Sequence, residues 1–170
     1  MSMMGFGNTK NVEDEVEIMT SRDMYLNLVS DLNLQTEYRK KSALRWVGQY
    51  QKRDLSVVYP SMYLDTLTSG HRISIKVRNN DYVVKVRKSR FNTQKYIVTD
   101  LTVPFNTIVG MLHFEINDSV VSGDKYIIRT MSKLVAANQF QRLIAATPLK
   151  KESNVITIST TTDLPRRAID

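Results

Sequence analysis

The chain has 170 residues, 42% of them hydrophobic, a formal net charge of +7 and no cysteine. Such length and apolar content argue against disorder and suit one domain with a core of its own, while the lack of cysteine excludes a disulfide framework and a Cys-ligated zinc site. No run approaches the roughly 18 apolar residues of a membrane span, and MSMMGFGNTK is too short and too polar for a signal peptide.

Residues 1–10 read as a tail and 11–170 as one α+β domain. Asn11, followed by Glu13 and Asp14, reads as a helix start with acids in the positive first turn. Val12, Val16 and Met19 recur at helical spacing. Thr20 or Ser21 caps a second helix with the stripe Tyr25, Leu28, Val29 and Leu32, and Asn33 stops it. The stretch 35–53 is ambiguous, with Trp46 as a core or ledge residue. From Leu55 the period becomes that of strands.

Ile73, Ile75 and Val77 alternate with Arg72, Ser74, Lys76 and Arg78; after the turn residues Asn79-Asn80, the set Tyr82, Val84 and Val86 alternates with Val83, Lys85 and Arg87. This predicts an antiparallel hairpin with a buried face and a cationic wet face. Further strands are predicted near 94–98, 108–116 and 125–129, the last after a turn at Ser122-Gly123-Asp124. Ser132 opens a short helix over 133–141 with Leu134, Ala137 and Phe140 on related faces, and strands follow at 143–147 and 155–159. The fold class is therefore α+β, a mostly antiparallel sheet with N-terminal helices and one helix inserted before the last strands. Asp163 and Pro165 then announce a helix that five residues cannot complete, so the chain reads as an excised piece of something longer.

Catalytic signals are missing. His71 and His113 have no cysteine or i+4 histidine near them and read as ordinary sheet or loop residues, so no metal site is expected. There is no G-x-S-x-G elbow and no phosphate loop, and six glycines offer little for cradling phosphate. No catalytic residue and no cofactor is assigned. The cations of 71–95 interleave with Tyr82, Phe91 and Tyr96, a combination that suits single-stranded nucleic acid. Tyr82, however, shares the buried face of Val84 and Val86, and no RNP pattern is present. Nucleic acid is therefore not the expected partner.

Two segments carry a resemblance. NVEDEVEIMTSRDMYLNLVSDLNLQTEY (11–38) has an acidic helix, the Ser21-Arg22 step, an amphipathic helix ending in Leu32-Asn33-Leu34, and Tyr38 shortly after. SNVITISTTTDLPRRAID (153–170) has a strand and then a Pro-bearing helix start. Both are similar to the periplasmic domain of Wzz-type chain-length determinants, the polysaccharide co-polymerases of the kind linked to a bacterial tyrosine kinase. The resemblance runs in order through most of the chain, but only its two ends are specific. It implies a periplasmic segment of an inner-membrane protein, with membrane spans, a long helical region and any kinase domain outside these residues.

The resemblance also implies a non-catalytic module. Its partners would be copies of itself in a ring, and the polysaccharide polymerase or the nascent glycan. The acids Glu13, Asp14 and Glu17 and the cations Arg22, Arg166 and Arg167 are the candidate ring interface, with the basic hairpin as a further cationic surface, since opposite patches can meet around a closed rotation. Two readings from other classes stand beside it: a basic single-strand nucleic-acid-binding domain, and an enzyme acting on acidic sugars.

Overall fold

The computed structural model describes residues 6–60, 62–118, 120–149 and 155–162, with side chains from Val12 onward. The architecture is mixed α+β, and the strands of every sheet pair antiparallel. Two compact units divide it: Gln35–Lys133, and a second made of Met1–Leu34 with Leu134–Asp170.

In the second unit, helix α1 (Phe6–Thr20) starts five residues before Asn11, so the helix reaches into the stretch read as a tail. It ends where Thr20 Oγ1 donates back to the Val16 carbonyl at 2.8 Å. Ser21 then leaves helical geometry and its hydroxyl accepts from the Met24 amide at 3.3 Å, the N-cap of α2 (Arg22–Asp31). Asn33 closes α2 in the left-handed region at φ 51°. Its amide donates to Ser30 O and the Leu34 amide to Val29 O, which is the Schellman pattern. That pattern explains why Val29 and Leu34 are both buried.

Helix α4 (Lys133–Gln141) turns Ala136, Ala137 and Phe140 inward, while Leu134 is exposed, so the expected stripe is shifted by the two small alanines. Strands β10 (Ile144–Pro148) and β11 (Ile156–Thr160) form a hairpin. Gln141 Nε2 donates to Thr20 O at 3.2 Å. The helix start at Asp163 and Pro165 lies outside the described residues.

In Gln35–Lys133, the stretch that the sequence left ambiguous is a hairpin of β1 (Thr36–Ser42) and β2 (Arg45–Gln49). It turns at Ala43, whose φ is 49°. Strands β4 (His71–Val77), β5 (Tyr82–Arg87), β6 (Thr93–Val98) and β9 (Lys125–Thr130) join it in a six-stranded sheet of order β2-β1-β9-β4-β5-β6. Strands β3 (Leu55–Val58), β7 (Phe105–Thr107) and β8 (Gly110–Ile116) form a three-stranded sheet of order β3-β8-β7. Helix α3 (Tyr63–Thr66) is one turn between β3 and β4.

The two sheets of this unit share one core. Ile73, Ile75, Val77, Val84, Val86, Tyr126 and Ile128 come from the larger sheet, and Leu55, Val57, Leu112 and Phe114 from the smaller. Each such aliphatic side chain contributes roughly 1.5–3 kcal/mol by leaving water. The alternation read for the β4–β5 hairpin therefore holds. Trp46 is not a core residue: it lies on the edge strand β2 and is 40% exposed.

Candidate functional site

Strand alternation and register build a cationic surface on the outer face of the six-stranded sheet. Residues directly opposite in antiparallel strands point to the same side, with Cβ atoms about 5 Å apart. The core side is marked by Ile128, Ile73 and Val86, so their strand neighbours point outward. One outer row runs Glu37, Arg129, Arg72, Arg87, Thr93. The next runs Arg39, Ile127, Ser74, Lys85, Lys95. A third holds Lys125, Lys76, Val83 and Ile97, with Lys41 beside Trp46 toward the other edge.

The cations of these rows are exposed, apart from the half-buried Lys125. Val83 and Ser74 are covered, as expected where long aliphatic stems lie over them. Among the described residues Glu37 is the one acid that register places on this face. Arg129–Arg72–Arg87, Lys85–Lys95 and Lys125–Lys76 are thus like-charge cross-strand contacts, which destabilise a sheet. A grid of one sign is an electrostatic funnel for polyanions.

The aromatics do not form a stacking platform there. Tyr82 and Tyr96 pack against the core. Phe91, 94% exposed, is at the β5–β6 loop.

A second cluster centres on His71 at the start of β4. Tyr59 Oη is 2.7 Å from both His71 Nε2 and Thr130 Oγ1. The Tyr59 and Tyr63 rings stack at 4.8 Å, and the imidazole meets both edge-on. His71 is buried, and its Nδ1 has no hydrogen-bond partner among the described residues. Burial, reinforced by the nearby Lys88 charge, lowers its pKa to about 4. Burial also raises the Tyr59 hydroxyl far above its ordinary value. The imidazole is neutral at pH 7, and the Tyr59 hydroxyl stands between it and Thr130, so the three side chains brace one another. Gly70 is required beside it: a Cβ there would lie 2.5 Å from the Thr130 carbonyl oxygen. An open cleft of about 200 Å³ adjoins this brace, lined by Tyr63, Thr68, Ser69, His71 and Lys88 among others.

The third constellation is an ionic clasp. Lys40 Nζ is 2.6 Å from Asp54 Oδ2 and 3.0 Å from Asp124 Oδ2. The Tyr126 hydroxyl lies 2.9 Å and 3.0 Å from the same two oxygens, and Gln49 Nε2 donates to Asp54 Oδ1 at 2.7 Å. Burial works to raise both carboxyls, but the hydrogen bonds from Lys40 and the other donors outweigh it and hold them below the usual range. Hydrogen bonding to Asp54 raises Lys40 in turn, against its own burial. One lysine is thus shared between two carboxylates. Among the described residues no cluster of three His, Asp or Glu side chains could hold a metal ion.

The residues expected at a ring interface are placed as follows. Glu13, Asp14 and Glu17 are exposed on α1, and Arg22 is exposed at the start of α2. Arg166 and Arg167 lie outside the described residues. His113 is half-buried in β8. The sequence reading joins Lys95 of β6 to the basic hairpin but not the cations of β1 and β9. Arg39, Lys41, Lys125 and Arg129 do alternate with core residues, but which strand lies beside β4 is a matter of tertiary pairing.

No protein-family model matches this chain. No curated protein is similar to it. Among the described residues no helix is long and apolar enough to cross a membrane.

Proposed function

We propose that this chain is a non-catalytic assembly module of a polysaccharide co-polymerase, acting outside the inner membrane to set the chain length or export of a surface or exopolysaccharide. The observation that carries the reading is the ordered set of roles taken by residues 11–38. The resemblance names an acidic helix, the Ser21-Arg22 step, an amphipathic helix ending in Leu32-Asn33-Leu34 and Tyr38; these residues form α1, the Ser21 cap, α2, a Schellman turn and a buried Tyr38. It is supported by buried polar groups that pair with one another, Tyr59 with His71 and Thr130, and Lys40 with Asp54 and Asp124.

Self-association into a ring uses the exposed acids Glu13, Asp14 and Glu17 of one copy. They face cations of its neighbour, with Arg22, Arg166 and Arg167 as the candidate partners. Glu13 and Glu17 stand one turn apart on α1. That like-charge pairing weakens an isolated helix slightly and is relieved by a cationic neighbour. Reversing Glu13, Asp14 and Glu17 to Lys shifts the ring-size distribution of the intact protein in detergent; an unchanged distribution rejects this interface.

The function itself is tested by an in-frame deletion of 11–160 from the parent gene. Polysaccharide of altered length on a gel is the expected outcome, and an unaltered ladder overturns the reading. The cationic sheet face also suits single-stranded nucleic acid, the alternative function. The inward packing of Tyr82 and Tyr96 counts against that alternative.

A further inference from the structure

We propose that the outer face of the six-stranded sheet is the docking surface for a linear acidic polysaccharide, whose carboxylates engage the Arg129–Arg72–Arg87 row and the Lys85–Lys95 pair. The choice of a glycan rests on the function proposed above; the anionic character of the ligand rests on the face alone.

Three observations lead there. The first is that the sheet tolerates like charges directly opposite one another on adjacent strands, an arrangement that costs stability. Neutral Thr or Ser at the same positions would serve a merely wet face equally well, as Ser74 and Thr93 do on it. Glu37 offsets the Arg129 end of the row, while Arg72, Arg87, Lys85 and Lys95 face no acid in register among the described residues, so an arriving anion relieves their repulsion.

The second is geometry. Neighbouring strands stand about 4.8 Å apart, of the order of one pyranose unit. A polyuronate lying across the strands therefore passes about one sugar unit per strand, with rotation about its linkages turning some of its carboxylates toward the face, whereas the phosphates of an extended single-stranded nucleic acid are spaced more widely than the strands. Guanidinium groups present a fork that matches carboxylate oxygens in pairs.

The third is the company that the cations keep. The arginine row carries no apolar residue: its flanks are Glu37 and Thr93. Docking onto a lipid surface needs apolar side chains protruding among the charges. On the wider face Ile97, 62% exposed, stands two rows from the arginines and Trp46, 40% exposed, stands toward the β2 edge, but the two most exposed apolar side chains are elsewhere. Leu44 is at the β1–β2 turn and Phe91 at the β5–β6 loop, and pairing places those turns at opposite ends of the sheet.

The test is a titration of the 170-residue chain with polygalacturonate. Neutral dextran, an oligothymidylate of matched charge and vesicles containing phosphatidylglycerol serve as rivals, each at several salt concentrations. Polygalacturonate binds, dextran does not, and affinity falls as salt rises. The triple variant Arg72→Ser, Arg87→Ser, Arg129→Ser binds at least about tenfold more weakly, while Arg142→Ser, exposed beyond α4, binds as the wild type does. Because the triple change removes repulsion, its thermal midpoint is equal or higher. Should it fail to fold, the pair Lys85→Ser, Lys95→Ser gives the same readout.

Undiminished binding by a folded variant overturns the proposal. So does tighter, Arg72-dependent binding of the oligothymidylate or of the vesicles, which would assign the face to nucleic acid or to lipid. Failure to bind polygalacturonate while the deletion of 11–160 still alters polysaccharide length defeats this inference alone. An unaltered ladder defeats the co-polymerase reading and leaves a polyanion-binding face.

Discussion

His71 shows how one side chain can tie fold stability to pH. Its imidazole is neutral in the folded protein because burial, aided by Lys88, lowers its pKa from 6.5 to about 4. The unfolded chain takes up a proton near pH 6.5 and the folded chain does not. Stability is therefore full above pH 6.5 and is lost as pH falls toward 4. Between pH 7 and 5, where carboxylates remain ionised, the loss is about 2 kcal/mol. Urea titrations across that interval measure it. His71→Gln flattens the dependence while lowering stability at pH 7, and a wild-type curve already flat there would refute the account. Little of this was legible from the residues alone. A histidine at a strand start reads the same whether its ring meets water or Tyr59, and Tyr59 and Thr130 are far from it in sequence.

At the scale of elements, the Lys40 clasp ties β1 to the turns preceding β3 and β9. Asp54 and Asp124 are held below the ordinary 3.8 by Lys40 and the other donors, against burial. Their contribution is present above pH 3.8 and is lost as pH falls through their folded values. Lys40→Met strands two mostly buried carboxylates and costs about 3 kcal/mol at pH 7. That cost shrinks below pH 4 as the acids take up protons. A pH-independent difference between variant and wild type, in chemical denaturation from pH 7 to 3, would show that Lys40 acts by packing alone.

The sequence left β1 and β2 ambiguous for a physical reason. Lys40 points to the core side, where the clasp satisfies it, and Arg39 and Lys41 point out. Both faces of β1 therefore read as polar. The β4–β5 hairpin was legible because the middle of its inner face, Ile73, Ile75, Val77, Val84 and Val86, is aliphatic.

At the scale of the whole molecule, Gln35–Lys133 is continuous in sequence and its ends are joined. The Met131 amide donates to the Gln35 carbonyl at 2.8 Å, and Gln35 Nε2 donates to Leu64 O at 2.8 Å. Its hydrophobic core is drawn wholly from within those bounds. The fragment 35–133 is therefore expected to fold alone, with one cooperative thermal transition and dispersed amide resonances. A collapsed fragment lacking that dispersion would show that the flanking segments are needed.

From its order of residues alone this chain determined the mixed α+β class, a helix start at Thr20 or Ser21, the helix end at Asn33, and the inward and outward alternation of β4 and β5. Each of these is a local matter of capping, left-handed propensity or a period of two. Only the tertiary structure decided that β9 lies between β1 and β4, bringing Arg129 beside Arg72 and Lys125 beside Lys76. It likewise decided that His71 meets Tyr59 and that one lysine serves two aspartates. Those neighbours follow from burying the inner faces of two sheets together, a condition on distant segments that no local pattern records.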